Sequence, residues 1–256
     1  MSLSKKERTA SIQKSLETRE RFPISYLDSR KYIQHNLNIP DGLGPILAFM
    51  DGLPPDRTKV DVRRCLEDGE YSVAHADYVL GDWGAMVGFE IHRWEDDRIV
   101  EHWDNLQPTP ASANPSGRSM TDGAATVEDA HLTADNKALV ERFTNQVLVR
   151  GDLAALPGFF AGDHLVQHSS SCADGVGAFQ NQISRARAEA GPIYAHTHKI
   201  LGEGSMVLVM SEGRIGGEPT AFYDLYRVSG GKIAEHWDVI EPILPPDKWQ
   251  NDNGKF

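Results

Sequence analysis

The chain has 256 residues, with 26 Lys and Arg against 37 Asp and Glu and a formal charge of −11. That length fits one large or two ordinary domains, and the acidic balance without a basic block argues against a nucleic-acid partner. No apolar run approaches the roughly 18 residues of a membrane span, and no apolar stretch follows the N-terminus, so no membrane association is expected and a cytoplasmic protein is.

In chain order, residues 5–21 predict a polar helix and residues 59–106 a strand region. Residues 108–126 are rich in Pro, Ser, Gly, Ala and Thr and read as a linker. The expected domains are therefore 1–110 and 127–256, joined by 111–126. In the second half, Thr133-Ala134-Asp135-Asn136 offers a cap for a helix whose apolar face carries Leu139, Val140, Phe143 and Val147. Further helical pieces are predicted at 153–160 and 179–190. Strand signals follow at 194–201, 206–214, 220–228 and 232–240, separated by glycine-rich turns. The pattern predicts a meandering antiparallel sheet with helices on one face. Cys65 and Cys172 fall at non-matching positions of the two halves and read as ordinary thiols.

The halves repeat. Glu101-His102-Trp103-Asp104 returns as Glu235-His236-Trp237-Asp238, and Tyr32-Ile33-Gln34-His35 pairs with Leu165-Val166-Gln167-His168. The offset is 133 between His35 and His168 and 134 between His102 and His236, so few insertions separate the copies. On a strand, side chains two apart leave from the same face. His236 and Asp238 therefore share one face, and Glu235 and Trp237 the other.

These spacings nominate a set of polar groups. Asp238 and Asp104, with His236 and His102, place an imidazole and a carboxylate side by side, and a carboxyl in an apolar pocket can exchange protons near neutrality. Met210 and Glu212 share a face on an earlier strand, with His75 and Asp77 as counterparts; the acids there are candidate partners for Asp238 and Asp104, or surface ion pairs. His168 and His35 stand just before a loop. His196 and His198 form a His-x-His that, with His168 and His236, would suit a metal; pocket lining is the simpler reading, and no metal is expected. Asp224 and Glu90 sit mid-strand, with Phe222 and Tyr226 on the face of Asp224. Trp249 lies outside the repeat.

Helices first, then a curved sheet, with Gln-His early and Gly-Lys-Ile-x-Glu-His-Trp-Asp late, resembles the SnoaL-like polyketide cyclase family of the NTF2-like superfamily. The likeness is closest over residues 135–245, through Ser211-Glu212-Gly213-Arg214, the run from Ala221 to Val228 and the Glu-His-Trp-Asp strand. It is looser over 28–110. The family's Gln-His-Asn-Pro stands here as Gln34-His35-Asn36-Leu37 and Gln167-His168-Ser169-Ser170.

The resemblance implies an α+β fold of two tandem cone-shaped barrels, each with N-terminal helices packed on a curved antiparallel sheet that encloses an apolar pocket. It makes Asp238 and Asp104 the acid–base candidates and puts His168 at the pocket mouth. The activity implied is cofactor-independent enolisation with aldol closure or dehydration of a small apolar carbonyl compound. Asp238 would take the proton, and His236, His168 or His196 would polarise the oxygen. The second half, nearer the family pattern, is the expected active one. Epoxide hydrolysis, isomerisation, and non-catalytic binding or scaffolding use the same fold. NTF2-like domains often pair through their sheets, so an intramolecular pseudo-dimer is expected, with a homodimer as a further possibility.

Overall fold

The computed structural model describes residues 3–256. The chain forms two compact units: Met1–Thr109 with Leu244–Phe256, and Pro110–Ile243. The expected linker thus packs with the second unit and the C-terminal tail with the first. The segment following each unit's last strand belongs to the other unit.

The first unit opens with α1 (Lys5–Thr18), whose N-terminus is fixed by a reciprocal capping box between Ser4 and Glu7. A two-residue strand β1 (Ile33–Gln34) and α2 (Leu43–Gly52) follow, then β2 (Thr58–Asp68), β3 (Tyr71–Leu80), β4 (Ala85–Glu95) and β5 (Arg98–Pro108). The sheet order is β1-β5-β4-β3-β2. Strands β2 to β5 are the predicted meander, but β1 joins β5 in parallel, pairing Gln34 with His102. Two residues are too few to announce a strand by periodicity.

The second unit repeats this plan. Helix α3 (Thr133–Phe143) continues as a π-helical stretch over Thr144–Val149. Strand β6 (Val166–Gln167), α4 (Val176–Ala190), β7 (Tyr194–Glu203), β8 (Met206–Ile215), β9 (Glu218–Ser229) and β10 (Lys232–Pro242) complete it, in the order β6-β10-β9-β8-β7. The predicted helix cap at Thr133 takes another form: the Thr133 hydroxyl donates to the Ala130 carbonyl and accepts from the Gly204 N–H. No helix among the described residues is long and apolar enough to cross a membrane.

Register decides which residues face the concave side. Glu90 lies opposite Ala74 on one neighbour and Asp104 on the other. Asp224 lies opposite Val209 and Asp238 in the same way. Alternation then puts Tyr78, Gly88, Glu90, His92, His102 and Asp104 on the concave face of the first sheet.

The two concave interiors are filled differently. Gly88 lets Tyr78 lie across β4: an added Cβ would meet the Tyr78 ring at 3.3 Å and Leu106 at 2.4 Å. In the second unit Phe222 stands at the Gly88 position and Gly213 at the Tyr78 position. There the backbone of the preceding loop closes in, and a Cβ on Gly213 would lie 1.8 Å from the Ile193 carbonyl oxygen. Because backbone cannot yield as a side-chain tip does, Gly213→Ala is expected to destabilise by about 1–3 kcal/mol. Urea denaturation measures this, and an unchanged midpoint would contradict the close approach.

Candidate functional site

In the first unit, a buried polar cluster stands against apolar walls. The His102 Nδ1–H donates to Gln34 Oε1 at 2.7 Å, an oxygen that also accepts the Asn36 N–H at 2.9 Å. That fixes the proton on Nδ1 and turns Nε2 toward Glu90 Oε2, 2.7 Å away. The Tyr78 hydroxyl lies 3.4 Å from Glu90 Oε1 and 3.2 Å from Gln13 Oε1. Asn36 Nδ2 donates to Asp104 Oδ2 at 2.6 Å, and Lys255 Nζ stands 3.6 Å from Asp104 Oδ1. Tyr32 stacks on the His102 ring with 6.4 Å between centroids.

Burial pushes the Glu90 carboxyl above its ordinary range, and His102 only partly offsets this. Burial pulls His102 down, yet its bond to Glu90 and the neighbouring negative charge outweigh that and leave it raised. The pair shares a proton across 2.7 Å. Burial and the nearby His102 hold His92 well below the usual imidazole range.

A cavity of about 80 Å³ adjoins the cluster. Its walls are Ile12 and Leu16 from α1, Ile24 and Leu27, Ile46, Phe49 and Met50 from α2, and Leu80 and Leu106 from the sheet; Glu90, His92, His102 and Asp104 form its polar end. Trp83 also borders it, 57% exposed, its ring 5.9 Å from that of Phe49. The exposed Trp83 marks the mouth.

The second unit keeps the cluster and fills the space. His236 Nδ1 donates to Gln167 Oε1 at 2.8 Å, and Nε2 lies 3.0 Å from Asp224 Oδ1. Tyr194 from β7 replaces Tyr78, its hydroxyl 3.2 Å from Asp224 Oδ1. Ser169 stands in for Asn36 and bonds Asp238. Tyr226, at the His92 position, stacks on His236 at 4.7 Å; Phe179 approaches the same imidazole at 6.0 Å, and Phe143 abuts Tyr226 at 5.5 Å. These rings join the buried core of α3, α4 and the sheet.

Burial raises the Asp238 carboxyl, His236 opposes this, and Asp224 adds to it. A folded state that holds this proton more tightly than the unfolded chain loses stability as pH rises past the ordinary carboxyl range near 3.9. Asp238→Asn removes that loss. It is expected to raise the melting temperature at pH 7, with the gain gone near pH 3; a fall at both values would contradict the assignment.

Several nominated residues stand elsewhere. His35 and His168 leave the opposite face of their strands and do not reach the concave side. His35 donates from Nδ1 to the Gly254 carbonyl at 2.9 Å, meets Glu101 at 2.9 Å and stacks on Trp103 at 4.6 Å. His168 meets Glu235 at 2.8 Å and Asp122 at 2.6 Å and stacks on Trp237 at 4.8 Å. Each is a structural clamp, which corrects the expected pocket-mouth role. Trp237 is likewise structural, its indole N–H donating to the Asp122 carbonyl at 2.8 Å.

Glu212, Met210, Asp77 and His75 also point away from the clusters, because β8 and β3 present their odd-numbered and even-numbered residues, respectively, to the concave side. Glu212 pairs with His198 at 3.3 Å and Asp77 with Arg63 at 2.7 Å, while Arg64 donates to His75 Nδ1 at 2.6 Å. The carboxylates that do face Asp104 and Asp238 are Glu90 and Asp224. His196 and His198 are exposed on the edge strand β7, rings 4.7 Å apart, in a surface groove with Lys137 and Glu141. They do not join His168 and His236, so the alternative of a four-histidine metal cluster is not formed.

The donor atoms of Glu90, His102 and Asp104 lie within 4.8 Å of one another, as do those of Asp224, His236 and Asp238. Such spacing suits a cation, but each Nε2 already bonds a carboxylate and Lys255 brings positive charge to the first cluster. In the first cluster Glu90 and His102 hold a shared proton between them. Tyr78, Tyr194 and Lys255 are not among the residues that the spacings nominate, and Gln34 and Asn36 enter only through the family motif. Alternation from His35 could have marked Gln34 and Asn36; nothing local marks Tyr194 or Lys255.

Residues 140–236 match the family profile of the SnoaL-like domain. No curated protein matches the chain. Among solved structures, a protein from Acidithiobacillus ferrooxidans provisionally named a polyketide cyclase is 15% identical, covering 42% of this chain and 88% of its own, with a TM-score of 0.36. A provisionally named ketosteroid isomerase from Kribbella flavida is 13% identical over 45% and 84% of the two chains, with a TM-score of 0.39. An LEH-like epoxide hydrolase from M. tuberculosis is 21% identical over 43% and 84%, with a TM-score of 0.34. The SnoaL-like profile thus covers residues 140–236 in one half of the chain, and the same α+β topology is repeated in the other half.

Proposed function

We propose that the first unit is a cofactor-independent acid–base catalyst acting on a small apolar carbonyl compound, by enolisation followed by aldol closure or dehydration, and that the second unit is its packed structural twin. This reverses the expectation that the second half carries the activity. The observation that carries it is the cavity: the first cluster opens on free, apolar-walled space, and the second lies under Tyr226, Phe143 and Phe179.

Two carboxyl groups in unlike settings supply the acid and the base. Asp104 receives a hydrogen bond from Asn36 and faces the Lys255 ammonium, and it takes the proton alpha to the carbonyl. Glu90, raised by burial and sharing a proton with His102, donates to the oxygen on which negative charge develops. Neither step calls for a cofactor. The volume of about 80 Å³ is roughly half of the ~150 Å³ that takes up benzene. A ring-sized substrate therefore needs α2, whose Leu43, Ile46, Leu47 and Phe49 are only half-buried, to move outward.

Ligand entry past Trp83 is expected to change its fluorescence. A titration with small apolar ketones that quenches the wild type but not Trp83→Phe supports the mouth; equal quenching of both sinks it. The intramolecular pseudo-dimer and the homodimer remain part of the proposal. Sedimentation of the intact chain distinguishes one copy from two.

A further inference from the structure

The tail that follows β10 does more than end the chain. It runs along the Gln34–Ile39 turn of the first unit, held by several hydrogen bonds. Asn251 Nδ2 donates to the carbonyls of Asn36 and Ile39 at 2.9 and 3.0 Å, and Asn253 Nδ2 to that of Gln34 at 3.0 Å. His35 grips the Gly254 carbonyl. The next residue is Lys255, whose side chain is 4% exposed and whose ammonium stands 3.6 Å from Asp104 Oδ1. Taking an ammonium out of water is costly unless an anion meets it. The clamp on Gly254 and the two asparagines hold it at that anion.

The second unit is the natural comparison. Its strap, the segment 110–126, also sets an asparagine on the matching carbonyl, Asn114 Nδ2 to Gln167 O at 2.7 Å. Its cation Arg118 goes to Asp174, at 2.7 Å, where both side chains are about a third exposed. Asp238 there faces Asp224 and His236, and burial raises it.

We propose that Lys255 is a positioning residue that supplies the charge partner of Asp104, so that the first unit's site is complete only with the C-terminal strap docked. This rests on the reading of Asp104 as the base. The titratable groups around Asp104 are His102 on its own strand, Glu90 on β4, Tyr78 on β3, Tyr32 before β1 and Lys255 on the strap. Lys255 supplies a positive charge that does not depend on the proton shared by His102 and Glu90. It thus gives Asp104 a charge partner across the neutral range, whatever the state of that pair.

The test needs no substrate. Infrared titration of the intact protein follows the carbonyl stretch of protonated carboxyl groups, with Asp104→Asn identifying the band. Removing a cation at this distance is expected to move the Asp104 midpoint up by about one pH unit or more in Lys255→Met, and Lys255→Arg is expected to restore it. An unmoved midpoint overturns the proposal, as does a shift that Arg fails to reverse. Should the Met variant not fold, Lys255→Gln carries the same measurement. Once a carbonyl substrate is in hand, the acid limb of its kcat/KM profile is expected to move with the infrared midpoint. A purely mechanical lock would lower the plateau and leave the limb in place. If no carbonyl compound is turned over, the functional reading fails while the infrared result still decides the Lys255–Asp104 coupling.

Discussion

Asp104→Asn is expected to lower turnover of the cognate carbonyl compound by about 10²–10⁴-fold, the usual contribution of a positioned general base, while the chain stays folded. Asn keeps the shape of the side chain and removes the basic oxygen. The same change in the other copy, Asp238→Asn, is expected to leave turnover within a few-fold of wild type. The strands share Glu-His-Trp-Asp and both carboxylates are buried. What separates them is space and charge: Asp104 borders a cavity and faces Lys255, and Asp238 lies in a closed core. Paired assays of the two variants on one substrate decide between the units. A large loss from Asp238→Asn with little from Asp104→Asn would reverse the assignment.

Phe143→Ala is expected to destabilise the second unit by about 3–5 kcal/mol, the range for a large aromatic removed from a core that cannot collapse. Phe143 is fully buried, and its ring meets Phe159 at 5.4 Å, Phe160 at 5.5 Å, Phe179 at 6.2 Å and Tyr226 at 5.5 Å. No neighbour can replace four such contacts at once. Amide exchange should show protection falling across β8, β9 and β10, and a cost below about 1 kcal/mol would mean that the second interior is looser than its packing implies. The void left beside Tyr226 would also give the second unit a pocket like that of the first.

Much of this was legible in the sequence. The Glu-His-Trp-Asp repeat announced the duplication, and a period of two split it into a His/Asp face and a Glu/Trp face, as the structure has them. Strands β7 to β10 fell within a few residues of their predicted spans, because glycine-rich turns bound them. Partners across the sheet were not legible. Glu212 and Asp77 were matched to the strand carboxylates by position, but facing depends on inter-strand register, and opposite Asp238 that register brings Asp224. The proposal that the first unit is the active half draws on a feature equally hidden in the sequence. Family likeness is greater in the second half, yet openness depends on whether residues such as Gly88 and His92 or Phe222 and Tyr226 occupy the concave face, and that is a volume question. Lys255 was invisible because it meets Asp104 across some 150 residues of chain with no motif at either end.

Small apolar ligands are expected to enter the first unit and not the second. Methyl NMR of the intact chain during titration with a small apolar ketone tests it most directly. Shifts are expected at Ile12, Leu16, Leu27, Ile46 and Met50, which wall the cavity, while Val140, Val147 and Leu156 of the packed core stay still. Shifts confined to Val140, Val147 and Leu156 would contradict the account.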